Sequence, residues 1–143
     1  MSAKSSRKTI SQKTLTKVKK QQRTKIICVS HKEDADGISS AALIKQAFGG
    51  DSVLVDYPGM VDALELLRND KKLKKLFICD LGLNKQINDN FVELLTELRK
   101  KRVSVTYIDH HDIDSKVITK LKKIKVKLIH DISECTSVLV YDT

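Results

Sequence analysis

The chain has 143 residues, with 27 Lys and Arg against 18 Asp and Glu, and 41% of its residues are hydrophobic. This length and apolar content predict one domain with one core, and no apolar run approaches the ~18 residues that a membrane-spanning helix needs. The first residues contain no apolar signal segment, and the three cysteines form no paired motif. We therefore expect a cytoplasmic, reducing location.

The positive charge is concentrated at the beginning of the chain. Residues 1–24 hold eight Lys and Arg and no Asp or Glu, whereas residues 25–143 hold 19 basic and 18 acidic residues. A polar, basic segment cannot bury enough apolar surface to offset its ordering entropy, so we predict a disordered arm over 1–24 and one domain over 25–143. The arm either contacts a nucleic acid or is a solubilising tail with no partner. The candidate nucleic-acid contacts in it are Lys17, Lys19, Lys20 and Arg23.

The remaining sequence alternates short apolar runs with longer amphipathic stretches. The apolar runs predict strands over 26–30, 52–57, 76–79, 103–108 and 126–129. The amphipathic stretches predict helices over 38–48, 60–68, 87–100 and 114–123, and a further helix beginning near residue 136. This alternation predicts a doubly wound α/β fold, with a mainly parallel sheet of about five strands and helices on both faces.

Polar side chains follow four of the predicted strands, at the edge where parallel sheets bind ligands. All four histidines of the chain are among them, and no zinc-type cysteine set accompanies them. Imidazole with carboxylate suits Mn²⁺, Mg²⁺ or Fe²⁺, and so many carboxylates at one edge would repel one another without a cation. One shared carboxylate could bridge two ions of a hydrolase. In chain order, the residues are His31, Asp34, Asp36, Asp80, Asp109, His110, His111, His130 and Asp131.

Each of these residues taken alone has a simpler interpretation. Asp34 or Asp36 could cap the helix predicted near residue 38, and His130 could be an ordinary turn residue. Cys28 and Cys79 suit core positions, and the lysine runs at 71–75 and 120–127 suit solvated faces. Because separate loops bring Asp and His to one edge, the set as a whole favours a metal site.

Three segments resemble, in order, the first three motifs of the DHH phosphoesterase superfamily. They are HKEDADG at 31–37, Asp80-Leu81-Gly82 and Asp109-His110-His111. Residues 134–142 are similar to the helix that follows in those proteins, so the resemblance covers 25–143. It is closest to RecJ-like archaeal members.

The resemblance implies a pair of Mn²⁺ ions, with Mg²⁺ as the alternative, that hydrolyse phosphodiester or phosphoanhydride bonds. By position, His31, Asp34 and Asp80 would hold one ion. Asp36, Asp80 and His110 would hold the other, with Asp80 bridging the two. Asp109 would support the cluster, and His111 would face the scissile phosphate.

The chain departs from the family pattern after its last predicted helix. The family supplies another metal-binding Asp from a later strand, for which Asp131 is only a doubtful substitute, and a C-terminal substrate domain. We therefore expect an N-terminal fragment of a longer protein, with an incomplete second metal site and little activity alone.

Three functions follow from the resemblance. The first is a RecJ-like exonuclease acting on single-stranded DNA or RNA, with replication or repair proteins as candidate partners. The second is a phosphodiesterase for short RNA or cyclic dinucleotides, or a pyrophosphatase. The third is a non-catalytic replication module with this fold, against which the retained Asp and His residues count. No feature of the sequence favours a membrane role.

Overall fold

The computed structural model describes residues 24–143. The predicted arm, with Lys17, Lys19, Lys20 and Arg23, therefore lies outside the described residues. The elements, in chain order, are β1 (Lys25–His31), α1 (Ala35–Phe48), β2 (Asp51–Val55), α2 (Gly59–Arg68), β3 (Leu73–Cys79), α3 (Asn88–Lys100), β4 (Ser104–Asp109), α4 (Ser115–Lys123), β5 (Lys127–His130) and α5 (Thr136–Tyr141).

The five strands form one sheet in the order β2-β1-β3-β4-β5, and every neighbouring pair is parallel. The doubly wound α/β fold predicted from the sequence is confirmed. The connection from β1 leads to its neighbour β2, whereas the connection from β3 leads to β4, in the opposite direction along the strand order. A crevice therefore opens between the carboxyl ends of β1 and β3, where ligands bind in sheets of this kind.

Helices cover both faces of the sheet, as predicted. α2, α3 and α4 pack on one face, where the larger apolar core lies. α1 and α5 pack on the other face, where Ala41, Ile44 and Val140 meet Phe77 and Ile108. The buried stripe of α3 recurs at the helical period, and each of its side chains contributes roughly 2 kcal/mol by leaving water. That stripe is Phe91, Leu94, Leu95 and Leu98.

One departure from the predicted element bounds affects the site: α1 begins three residues earlier than the sequence pattern indicates. Asp34 accepts a hydrogen bond from the backbone N–H of Gly37 over 2.9 Å and so caps the helix. Asp36 consequently lies in the first helical turn. A Cβ at Gly37 would lie 2.2 Å from the carbonyl oxygen of His31, so this close approach of α1 to the end of β1 requires glycine.

Within residues 24–143, no helix combines the length and the apolarity that crossing a membrane requires.

Candidate metal centre

Asp80 lies at the centre of the site, directly after β3. Its side chain is buried, and its backbone φ of 55° is in the left-handed region. A non-glycine residue there costs about 1–2 kcal/mol. The backbone N–H of Asp80 donates to the carbonyl of Ile108 over 3.1 Å, which holds the turn against β4. The chain therefore leaves β3 with this carboxylate fixed in the crevice between β1 and β3.

His31 and Asp34 form a first group with Asp80. The Nδ1 of His31 is 3.0 Å from Oδ2 of Asp34 and 3.8 Å from Oδ2 of Asp80. One donor atom of each residue lies within 4.8 Å of the others. Among the described residues, neither the buried Nε2 of His31 nor the buried Oδ2 of Asp80 has a hydrogen-bond partner. These two buried polar atoms are therefore not satisfied by any described group of the protein.

Asp109, His110 and His111 form a second group with Asp80, again within 4.8 Å. The Nε2 of His110 is 3.1 Å from Oδ1 of Asp80 and 3.6 Å from Oδ2 of Asp36. Asp80 is therefore shared by both groups, with its two oxygens directed to different histidines. Asp36 adjoins the second group through His110.

The carboxylate of Asp36 also caps α5. Its oxygens accept hydrogen bonds from the backbone N–H groups of Thr136, over 3.0 Å, and Ser137, over 2.7 Å. The hydroxyl of Thr136 donates to Oδ1 of Asp80 over 3.3 Å. The start of α5 is therefore joined directly to two carboxylates of the site.

His111 is held in place by a buried carboxylate. Its Nδ1 is 2.7 Å from Oδ1 of Asp109, and the hydroxyl of Tyr107 donates to Oδ2 of that Asp over 3.1 Å. With Nδ1 as the donor to Asp109, Nε2 becomes the acceptor. A Cβ at Gly82 would lie 3.0 Å from Cγ of His111, so the small residue after the Asp80 turn leaves room for this ring.

Tyr57 is a residue of the site that the sequence analysis missed. Its hydroxyl is 3.1 Å from Nε2 of His111, and its ring centroid is 4.4 Å from that of His31. The side chain is 38% exposed, so part of the ring faces solvent at the mouth of the crevice. Its position at the carboxyl end of a predicted strand was the available signal, because that position places it at the ligand-binding edge of the sheet.

The electrostatics of the site disfavour its metal-free, fully ionised form. Burial, with the nearby charges of Asp36 and Asp34, raises the pKa of Asp80 to about 7. For Asp34, burial acts to raise the pKa, but the hydrogen bonds with the backbone N–H of Gly37 and with His31 outweigh it, and the net pKa lies below the ordinary value. A bound cation would offset both the burial and the repulsion at Asp80.

These residues fit a divalent cation. The two unpartnered buried atoms are a carboxylate oxygen and an imidazole nitrogen, and the surrounding donors are of the same kinds. That set suits Mg²⁺, Mn²⁺ or Fe²⁺ better than a thiolate-preferring ion. Cys79, which directly precedes Asp80 in the chain, lies with Cys28 in the core and not among the candidate ligands.

The structure does not bring Asp131 into either group. It is exposed, and its Oδ1 accepts hydrogen bonds from the backbone N–H and the hydroxyl of Ser133, over 2.9 and 2.6 Å. These hydrogen bonds hold the pKa of Asp131 below its usual value. His130 has its Nε2 2.5 Å from the carbonyl oxygen of His111, so it supports the loop of the second group.

The fold and this cluster define an α/β protein with a candidate divalent-metal centre at the switch point of its sheet. The family model described as "DHH family, N-terminal domain" matches residues 25–143. The chain therefore belongs to the DHH family, a family of metal-dependent phosphoesterases, and this result confirms the superfamily that the motifs indicated.

Among the solved structures, an uncharacterized protein from Helicobacter pylori G27 is similar to this chain, with a TM-score of 0.63 and 19% sequence identity. The similarity covers 83% of this chain and 35% of that chain, and it shows the shared fold. This chain thus spans about a third of the length of that protein. A search of the curated proteins gave no match.

Proposed function

We propose that this domain is the metal-binding part of a RecJ-like phosphodiesterase of the archaeal type, which removes nucleotides from single-stranded DNA or RNA with two Mn²⁺ ions. The observation that carries the proposal is the shared position of Asp80. It is buried, and it lies between a His31 group and a His110 group. A cytoplasmic location and replication or repair proteins as partners belong to the same proposal.

The two groups would hold the two ions. His31, Asp34 and Asp80 would bind the first, and Asp80, His110 and Asp36 the second, with Asp109 supporting the cluster. Bound there, the ions would neutralise the charge of the substrate phosphate and lower the pKa of the attacking water. The capping of α5 by Asp36 leaves each of its oxygens with further lone pairs for a cation.

The protein's own groups orient the phosphate. Asp109 fixes the ring of His111, which is about one-third exposed, with its Nε2 directed toward Tyr57. A phosphate oxygen replacing the Tyr57 hydroxyl would receive a hydrogen bond from His111 in its protonated form. The buried carboxylate of Asp109 holds Nδ1 and so aims Nε2 without reorganisation during the reaction. His111 is thus the candidate catalytic residue.

The partly exposed ring of Tyr57 supports a nucleotide substrate over an inorganic one. Aromatic rings stack on bases of any sequence, each stacked base being worth about 1–3 kcal/mol. The ring lies beside His31, within reach of a nucleotide whose phosphate occupies the crevice. This favours a single-stranded nucleic acid or a dinucleotide over pyrophosphate.

A substrate panel tests the proposal. The chain, with Mn²⁺ or Mg²⁺, is given a long end-labelled single strand of DNA or RNA, a dinucleotide, a cyclic dinucleotide and pyrophosphate. Asp80→Asn is the inactive control, and Asp131→Asn is the matched variant of a nearby exposed carboxylate. Release of mononucleotides from the long strand by the wild type and Asp131→Asn alone supports the exonuclease.

Other outcomes separate the alternatives. Cleavage of the dinucleotide or cyclic dinucleotide alone would establish the small-substrate enzyme. Binding of the single strand with neither Mn²⁺ binding above that of Asp80→Asn nor hydrolysis of any substrate would favour the non-catalytic module.

A further inference from the structure

The connections that precede β3, β4 and β5 carry most of the positive charge of the domain. Residues 69–75, 100–104 and 122–127 contain 11 of the 19 Lys and Arg residues of 25–143, and only one of its 18 acidic residues. Ten of these cations are exposed. We call these ten the basic edge: Lys71, Lys72, Lys74, Lys100, Lys101, Arg102, Lys122, Lys123, Lys125 and Lys127.

The sheet places the three connections side by side. β3, β4 and β5 are consecutive and parallel, so their amino-terminal ends share the edge opposite the candidate metal centre. Side chains tie the connections together. Arg99 donates to the carbonyls of Val103 and Ile124, and Lys101 donates to the carbonyl of Arg68. The basic edge is therefore formed by three adjacent connections that hydrogen bonds join to one another.

Neighbouring acids do not neutralise this surface. The one acidic residue in the three segments, Asp70, forms an ion pair with Lys25, and Glu97 forms one with Arg68. Within residues 24–143, no ion pair includes a member of the basic edge. Its charges are thus available to an external partner.

Only some cations of the basic edge are explained by a favourable interaction with the negative carboxyl end of a helix. Lys100, Lys122 and Lys123 lie in last helical turns, where cations are favoured. Lys71, Lys72, Lys74 and Lys127 lie beyond the helices. Arg102 and Lys125 have φ values of 63° and 62°, a conformation that glycine or asparagine adopts more readily. At these two positions, therefore, the backbone conformation favours other residue types, yet the sequence has cations.

A recess lies between the first two connections. It has a volume of about 440 Å³. Its lining combines the apolar residues Leu73, Leu98 and Val103 with the polar and charged residues Arg68, Asn69, Asp70, Lys71, Lys74 and Lys101. A recess lined by several cations suits a phosphate backbone.

We propose that the basic edge binds the phosphate backbone of a double-helical nucleic acid, without regard to sequence. The three segments contain no aromatic residue, so they offer no platform on which unpaired bases could stack. A duplex carries more phosphates per unit length than a single strand, so closely spaced lysines can neutralise more of them. The acidic edge that carries the candidate metal centre would face away from this duplex.

Binding is measured with the full chain in EDTA, so that the result does not depend on hydrolysis or on the proposed function. The probe is a fluorescently labelled duplex of mixed sequence, followed by anisotropy over a salt series. The edge variant takes one lysine from each connection: Lys71→Gln, Lys100→Gln and Lys122→Gln together. The control removes the same charge from exposed lysines elsewhere: Lys85→Gln, Lys116→Gln and Lys120→Gln together.

The edge variant should weaken binding at low salt by on the order of tenfold or more. It should also reduce the slope of log K against log salt by about 0.9 for each phosphate that is no longer neutralised. The control should stay within about twofold of the wild type. Lys→Arg at the three edge positions should retain binding. Unchanged thermal unfolding of all variants would show that the fold is intact.

Three results would overturn the proposal. If the edge and control variants weaken duplex binding equally, binding depends only on the net charge of the protein. Competition by poly-glutamate as strong as that by unlabelled duplex would indicate an acidic protein partner. A single strand bound more tightly than the duplex, with the same weakening in the edge variant, would assign the surface to unpaired nucleic acid.

Discussion

At the scale of single residues, Asp80 is the position on which the candidate metal centre depends. Its two oxygens are directed to different histidines, so losing the carboxylate should remove both ion sites together. We predict that Asp80→Asn abolishes Mn²⁺ binding in titration calorimetry. Asparagine tolerates the left-handed backbone at this position, so the variant should fold.

Asp131→Asn is the matched control for this titration. Its carboxylate lies on the same edge but is hydrogen-bonded to Ser133, outside both groups. It should retain the stoichiometry and affinity of the wild type. Equal loss of Mn²⁺ from the two variants would refute the assignment of ligands.

The raised pKa of Asp80 also predicts how the stability of the metal-free protein depends on pH. An ordinary Asp has a pKa of about 3.9 in the unfolded chain, whereas burial raises that of Asp80 to about 7 in the fold. The folded state therefore holds more protons between these values, and the free energy of unfolding should fall as pH rises from about 4 to about 7. The steepest slope would be about 1.4 kcal/mol per pH unit.

Urea unfolding in EDTA across this range checks the prediction, with Asp80→Asn lacking the decline. Asp34, Asp70 and Asp131 have lowered pKa values and titrate below this window, so they do not mask it. A wild-type stability that rises between about pH 5 and about pH 7 would contradict the assignment.

Site residues at the carboxyl ends of strands could be identified from the sequence. His31, Asp80 and Asp109 are each the last residue of a strand or the residue just after one, so the parallel sheet brings them together. Tyr57 was missed because one aromatic residue after an edge strand forms no pattern. The orientation of Asp131 depends on a hydrogen bond with Ser133, which spacing alone does not reveal.

At the scale of elements, α5 depends on a residue one hundred positions earlier. Asp36 accepts hydrogen bonds from the N–H groups of Thr136 and Ser137. We predict that Asp36→Ala loosens the start of α5, at a local cost of about 0.5–2 kcal/mol, the range for lost helix caps. Hydrogen exchange of these two amides in the metal-free protein measures the effect.

Asp112→Ala is the control for this exchange experiment. Asp112 is an exposed acid of the same edge, and no hydrogen bond of the described residues involves its side chain. The Thr136 and Ser137 amides should exchange as in the wild type. If Asp36→Ala leaves their exchange unchanged as well, the capping role is wrong.

Local patterns predicted the elements themselves almost completely. Short apolar runs located all five strands, and amphipathic stretches located the helices, because the central strands are buried in the sheet and each helix buries one stripe. The early start of α1 was not predicted, because Asp34 was considered as the cap of a helix that begins near residue 38. The joining of α1 to α5 through Asp36 could not be predicted, since it depends on how the finished sheet places the two helices.

At the scale of the whole molecule, the domain is near neutral but strongly polarised. The parallel arrangement puts strand carboxyl ends at one edge and strand amino ends at the other. The acidic residues of the candidate metal centre lie at the first edge and the basic edge at the second. Composition alone could not show this separation, because 19 basic and 18 acidic residues nearly cancel.

This polarity affects stability, since folding brings carboxylates from several separate loops to one edge. Ions bound to the folded state alone stabilise it by RT ln(1 + [L]/Kd), about 2.7 kcal/mol at 100 times Kd. We predict that Mn²⁺ raises the unfolding free energy of the wild type in this concentration-dependent way. Asp80→Asn should be more stable than the wild type in EDTA above a pH of about 7, because position 80 then carries no carboxylate to ionise, and it should gain little from Mn²⁺.

The two stability curves should therefore cross as Mn²⁺ is added, and urea unfolding of both proteins at one alkaline pH measures the crossing. The crossing separates binding in the crevice from binding elsewhere, since exposed acids such as Asp112, Asp114 and Asp131 are present in both proteins. Parallel stabilisation of wild type and variant would mean that the ions bind those exposed acids. The buried carboxylate of Asp80 would then be a structural group whose charge the fold tolerates without a metal.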